Sequence, residues 1–100
     1  MRFRRGKQRF DLLTVISDYG FPNPSGVATN AAGLPITAYL AGSPEETPGV
    51  VQYECTGWTR TGSTPASGTG TNTSFTITED TTITWQWLTN YWIELNTVGE

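Results

Sequence analysis

Residues 74–87 read SFTITEDTTITWQW, and Phe75, Ile77, Ile83, Trp85 and Trp87 all fall on odd positions with threonine, glutamate or glutamine between them. A period of two is the side-chain repeat of a β-strand, where neighbouring residues point to opposite faces. One face is therefore apolar and the other polar. These five residues are the expected structural core, joined by Cys55. If the two halves pair as a hairpin, parity demands an odd number of loop residues, because an even loop would set Phe75 opposite Thr84. A three-residue loop at 79–81 puts Ile77 opposite Ile83 and Phe75 opposite Trp85. A five-residue loop, or a crossing between two sheets, satisfies the same parity.

Threonine occurs eighteen times in 100 residues, while hydrophobic residues make up 36% and charged residues 15%. That balance favours strands with small polar faces over helices, at the size of one domain. Turn-forming clusters divide the chain. Residues 11–17 read as a first strand, with Leu13 and Val15 on one side and Leu12 and Ile16 on the other, which implies that both faces are covered. YGFPNPSG at 19–26 is dense in Gly and Pro, so the chain turns there and loops to Gly33, with a short helix over 28–32 as an option. Residues 36–40 form a second strand, ended by the SPEETPG turn at 43–49, and residues 50–58 a third. The Thr/Ser/Gly tract at 59–73 is a long loop or a loosely held edge. Two strands come from the 74–87 run and another from YWIELNTV at 91–98, with Tyr91 and Trp92 on opposite faces. The expectation is an all-β, sandwich-like module of about six short strands.

Five of the six cations (Arg2, Arg4, Arg5, Lys7 and Arg9) lie in the first nine residues, and from Phe10 onward Arg60 alone stands against nine acids. Residues 1–9 read as a basic leader outside the module, residues 10–90 as the module itself. The acidic body would repel phosphates and holds no base-stacking pattern, so no nucleic-acid partner is expected. The best apolar cluster, at 12–16, is too short to span a bilayer, and no membrane insertion is expected. It also lacks the length and cleavage site of a secretory signal. Cys55 cannot form an internal disulfide, and its alternation with Val51 and Tyr53 suits a small buried hydrophobe.

The chemistry available is narrow. No histidine is present, which removes the usual general base, the common triads and most transition-metal sites. Glu45 with Glu46 and Glu79 with Asp80 are the available carboxylate pairs, but adjacent strand residues face opposite ways and both pairs fall in turns. The same acids with Asp18 lack the alternating Asp/Asn loop of a calcium site. No catalytic residue, cofactor or metal is expected. Asn72-Thr73-Ser74 matches a glycosylation acceptor, a pattern that a prokaryotic chain would leave unmodified.

Four tryptophans are the concentrated resource. Trp85 and Trp87, alternating with Thr84 and Gln86, fit an inward row in which each ring buries on the order of 150–250 Å². Trp58 stands apart on the strand of Cys55. Its structural reading is a place in the core beside Trp85 and Trp87; its functional reading, shared with Tyr91 and Trp92, is a ligand or inter-module contact, because flat exposed aromatics stack on sugar rings or on neighbouring domains.

FDLLTVIS from Phe10 and YWIELNTV from Tyr91 overlay with an offset of 81 residues, matching Phe10 with Tyr91 and Leu12 with Ile93. Residues 91–100 are thus a last strand or the start of a second copy, and a tandem array follows.

The pieces NPSG at 23–26, Ala32-Gly33 before a strand, the Pro-Glu-Glu turn, YECTGWTRTGSTPASGTGT at 53–71 and SFTITEDTTITWQW are similar to those of a divergent internalin-type B-repeat. The resemblance spans residues 12–87, and Cys-Thr-Gly-Trp at 55–58 with the final ITWQW are its most specific parts. It departs from the family at Pro35 and Ala41, where a more β-branched strand is usual, and in the basic leader. The resemblance implies a non-catalytic, β-rich repeat of large prokaryotic surface proteins, extracellular, with a β-grasp-like α+β arrangement in some members. It implies neighbouring repeats of the same chain as partners and a spacer or adhesion-stalk role. The alternative is a carbohydrate-binding module that uses exposed aromatics on surface glycans.

Overall fold

The computed structural model describes residues 9–92, and within them the chain is all-β: nine strands in two sheets, with no helix. The strands are β1 (Phe10–Ile16), β2 (Phe21–Asn23), β3 (Gly26–Ala31), β4 (Pro35–Ala41), β5 (Glu45–Thr47), β6 (Val51–Thr61), β7 (Ser67–Thr69), β8 (Asn72–Thr76) and β9 (Thr81–Tyr91). The larger sheet runs β3-β1-β9-β6-β5, with β7 also on β6; the smaller runs β2-β4-β8.

The two halves of the 74–87 run part company, since β8 pairs with β4 in the small sheet while β9 lies between β1 and β6 in the large one. Of the three connections that parity allowed, the chain takes the crossing between sheets. Both apolar rows still face one core, because Phe75 and Ile77 point at it from one side and Ile83 and Trp85 from the other. Across the large sheet the inward rows are Leu13 with Thr81, Val15 with Ile83 and Arg60, and Trp58 with Trp85. Ile36, Ala38 and Leu40 of β4 close the core from the small sheet.

Nine strands stand where about six were expected. Residues 21–31, read as loop with an optional helix, hold β2 and β3. Val27, Ala28 and Thr29 are exposed, so no apolar alternation marks β3; its ladder is made by the β1 edge, from Phe10↔Ala31 to Val15↔Gly26. The 43–49 turn contains the three-residue edge β5, and the 59–73 tract contains the end of β6 and the edge β7. The covering of β1 also differs: among the described residues nothing covers Leu12 and Ile16, which lie exposed on the outer face of the large sheet. The α+β alternative finds no helix among the described residues. The leader at 1–8 and the last strand beyond Trp92 lie outside them. Arg9, grouped with the leader, contacts the fold, for its Nη2 donates to the Thr78 carbonyl and pairs with buried Asp11 at 3.2 Å.

One irregularity sets the core. Thr56 is an extra residue between the Cys55↔Trp87 and Gly57↔Gln86 pairs, a β-bulge that shifts the inward positions from odd (Cys55) to even (Trp58, Arg60). Gly57 makes it possible, with φ at +152° and the Gly68 carbonyl oxygen 2.2 Å from where a Cβ would stand.

Candidate functional site

The β6/β9 ribbon is longer than the sheet that covers it. Its inward residues are buried through Trp58 and Trp85, become half-buried at Trp87, and are open at Tyr91, which is 73% exposed. Trp92, on the other side of the strand, is 53% exposed. Alternation does place the two rings on opposite faces, yet both reach solvent, because the small sheet ends before the ribbon does.

At this far pole Gln52, Asn90, Tyr91 and Trp92 line an open depression of about 180 Å³. Gln52 and Asn90 face each other across β6 and β9, and the Asn90 amide nitrogen donates to Gln52 Oε1 at 3.1 Å. The Trp92 amide continues the ladder to the Val50 carbonyl at 3.1 Å. A paired amide beside the exposed Trp92 ring offers hydrogen-bond donors, acceptors and a flat apolar face, the chemistry that recognises a polyol or a second protein surface. No carboxylate is among these four lining residues.

Trp58 does not belong to this surface: of its two readings, burial agrees with the core and corrects the contact. The bulge turns it inward, where it is 5% exposed and packs against Gly68, whose missing Cβ would stand 2.4 Å from the ring. Beside it lies Arg60, 3% exposed, its guanidinium carbon 4.4 Å from the Trp58 ring centroid and 4.0 Å from that of Phe75. The guanidinium spans the two sheets: Nε donates to the Ser63 carbonyl at 3.2 Å and Nη1 to Thr73 Oγ1 at 3.0 Å. No carboxylate pairs with it among the described residues, and burial lowers its pKa from the ordinary arginine value. Two ring faces stand in for a counter-ion. Next to it a hydroxyl chain closes the near pole. Thr81 Oγ1 donates to the Glu79 carbonyl at 2.7 Å, so Ser63 Oγ supplies the proton for the 2.7 Å bond between the two hydroxyls.

The remaining candidates fall in separate places. Phe75, Ile77, Ile83 and Trp85 are buried, and Cys55 is buried as a free thiol whose pKa burial raises, the opposite of an activated nucleophile. Trp87 is half-buried and donates from Nε1 to Ser17 Oγ at 2.9 Å. It meets Tyr19 edge-on at 5.4 Å, and Tyr19 in turn stacks on Tyr53 at 3.8 Å, so these rings use their faces on one another. One member of each carboxylate pair is engaged with backbone: Glu45 Oε1 accepts from the Gly20 amide at 3.1 Å, and Asp80 Oδ1 from the Leu12 amide at 2.8 Å. Among the described residues no group of three His, Cys, Asp or Glu side chains could hold a metal ion, and no helix is long and apolar enough to cross a membrane.

Sequence reasoning missed Arg60, Gln52 and Asn90. Arg60 carried a signal, as the lone cation of the body two residues from a tryptophan. Gln52 and Asn90 carried none, because their pairing depends on a register between segments 38 residues apart.

The last element of the site is the path of the chain. β1 and β9 run parallel, in register from Leu13↔Thr81 to Ile16↔Thr84. The first described strand therefore begins at Phe10, beside the start of β9, and the last described strand ends at Tyr91, at the far end of β9. At about 3.3 Å per residue the two points lie about 40 Å apart. Comparison with protein families, curated proteins and solved structures finds no match for this chain.

Proposed function

We propose that this chain carries a non-enzymatic structural repeat, an extracellular spacer or adhesion-stalk module of a larger prokaryotic cell-surface protein, with neighbouring repeats as its partners. The supporting observation is the parallel pairing of the first and last strands, which sets the two ends of the module at opposite poles. A unit that receives the chain at one end and releases it at the other adds its length to an array, whereas one whose ends meet hangs from the chain as a side lobe. The absence of histidine supports the same reading. Small-angle scattering from one, two and three copies of the full chain fused head to tail tests it. The longest dimension is expected to rise by equal steps of about 40 Å or more per copy. A fusion whose dimension grows with the cube root of its mass overturns the reading.

A second reading has its own observation: the exposed Trp92 ring beside the Gln52–Asn90 amide pair, which supports a carbohydrate-binding module for surface glycans. Titration with a panel of soluble polysaccharides would then shift tryptophan emission in the native protein and leave Trp92→Ala unmoved. An unchanged spectrum across the panel removes this reading and leaves the spacer standing.

A further inference from the structure

The first and last of the described strands are the two that pair in parallel, and this decides how a pull applied through them would be resisted. Tension drags β1 toward the near pole and β9 toward the far pole, along their own axes. Ladder hydrogen bonds lie across the strands, so every rung from Leu13↔Thr81 to Ile16↔Thr84 is strained at once. Had the two points of attachment sat at the same pole, the rungs would open one after another.

Neither strand is free to move aside. β9 is flanked on its other edge by β6 along ten paired positions, from Val51↔Tyr91 to Thr61↔Thr82. β1 is flanked by β3 from Phe10↔Ala31 to Val15↔Gly26. To slide, β1 must carry buried Leu13 and Val15 past Thr81 and Ile83, and both ends of the overlap are tied by side chains. At one end the Leu12 amide donates to Asp80 Oδ1 at 2.8 Å and Arg9 reaches the Thr78 carbonyl; at the other Trp87 Nε1 donates to Ser17 Oγ at 2.9 Å.

We infer that the β1–β9 pair is a mechanical clamp: the module bears tension applied through its two ends by loading this ladder in shear. The inference rests on the spacer reading and adds to it a load-bearing activity and the residues that supply it. Resistance to force is set by the height of the unfolding barrier along the pulling direction, so one fold can be strong in one direction and weak in another.

Single-molecule force spectroscopy on the full chain separates the directions. In one arrangement the protein is held through its amino and carboxyl termini. In the other it is held through the amino terminus and a thiol placed by Glu79→Cys, an exposed position beside the start of β9, so that the same β1–β9 ladder unzips from its Phe10 end. The terminal arrangement should unfold at a force at least about twofold higher than the Glu79 arrangement, since barriers and not equilibrium stability govern forced unfolding. A smaller ratio overturns the clamp. If Glu79→Cys does not fold, Thr64→Cys, also exposed and three residues beyond the near-pole end of β6, provides the unzipping arrangement with the same expectation. Equal forces together with stepwise lengthening of the fused copies would sink the clamp and leave the spacer. A strong directional ratio with compact fusions would do the reverse.

Discussion

The β6/β9 ribbon is one antiparallel ladder, stepped once at the Thr56 bulge, whose two halves live in different surroundings. Near the Thr61↔Thr82 end its inner face carries Ile83, Trp85, Trp58 and Arg60 under the small sheet, all buried. Toward the Val51↔Tyr91 end the same ladder carries Tyr53, Gln52, Asn90 and Tyr91, half-buried or exposed. Backbone pairing is the same in both, so the difference lies in what covers the pleat. A ladder contributes stability where side chains leave water, and where they stay in water it supplies a rigid frame for them. The near half holds the fold together, while the far half presents a surface.

Substitution is the direct way to break that contrast. Trp85→Ala in the near half removes a ring that is 2% exposed and is expected to cost about 3–5 kcal/mol, read as a fall in the urea midpoint. Arg60→Ala should come next, at about 2–4 kcal/mol, since it empties the slot between Trp58 and Phe75 and leaves the Ser63 carbonyl and the Thr73 hydroxyl without their donor. A midpoint unchanged in Arg60→Ala would mean that the buried cation contributes nothing net. Gly68→Ala sets a methyl against the Trp58 ring and is expected to cost about 1–3 kcal/mol by overpacking. In the far half Trp92→Ala should move stability by less than about 0.5 kcal/mol. The same variant should remove the largest share of the iodide-quenchable tryptophan emission, because Trp58 and Trp85 are shielded and Trp87 is half-buried.

The smallest effect belongs to Cys55, at the junction of the halves. Burial raises its pKa, so at neutral pH native protein should react with a thiol reagent more slowly than urea-unfolded protein. With the folded pKa above the unfolded one, a rise in pH through the ordinary thiol range takes the proton from the unfolded chain first. Stability then declines slightly in that window, and alkaline melting of Cys55→Ala should lack this component.

The near half was legible in the sequence and the far half was not. Phe75, Ile77, Ile83 and Trp85 announce an inner face by parity alone, and the all-β class follows from that pattern with the threonine content. Which strand each run pairs with was not written there, because β8 and β9 show the same parity in a hairpin as in two facing sheets. β3 offers GVATNA, with no apolar alternation, and is a strand only because the β1 edge is available to it. β5 and β7 are three-residue edges set among prolines and glycines, where local composition argues for turns and a neighbouring strand overrides it. Alternation counted from Cys55 would put Trp58 on the outer side. The extra residue Thr56 corrects the count, and nothing local reveals it except the glycine that follows. Arg60 became a core residue through rings on two different sheets, a long-range fact.

That bulge makes the module sensitive to arithmetic. Loss or gain of one residue between Cys55 and Trp58 would exchange inside for outside along the rest of β6, exposing an indole and a guanidinium together and driving Thr59 and Thr61 into their places. A change of two residues preserves the phase and would be absorbed as a longer bend. Related modules should therefore vary in length here by even steps, with odd steps confined to the connections between strands.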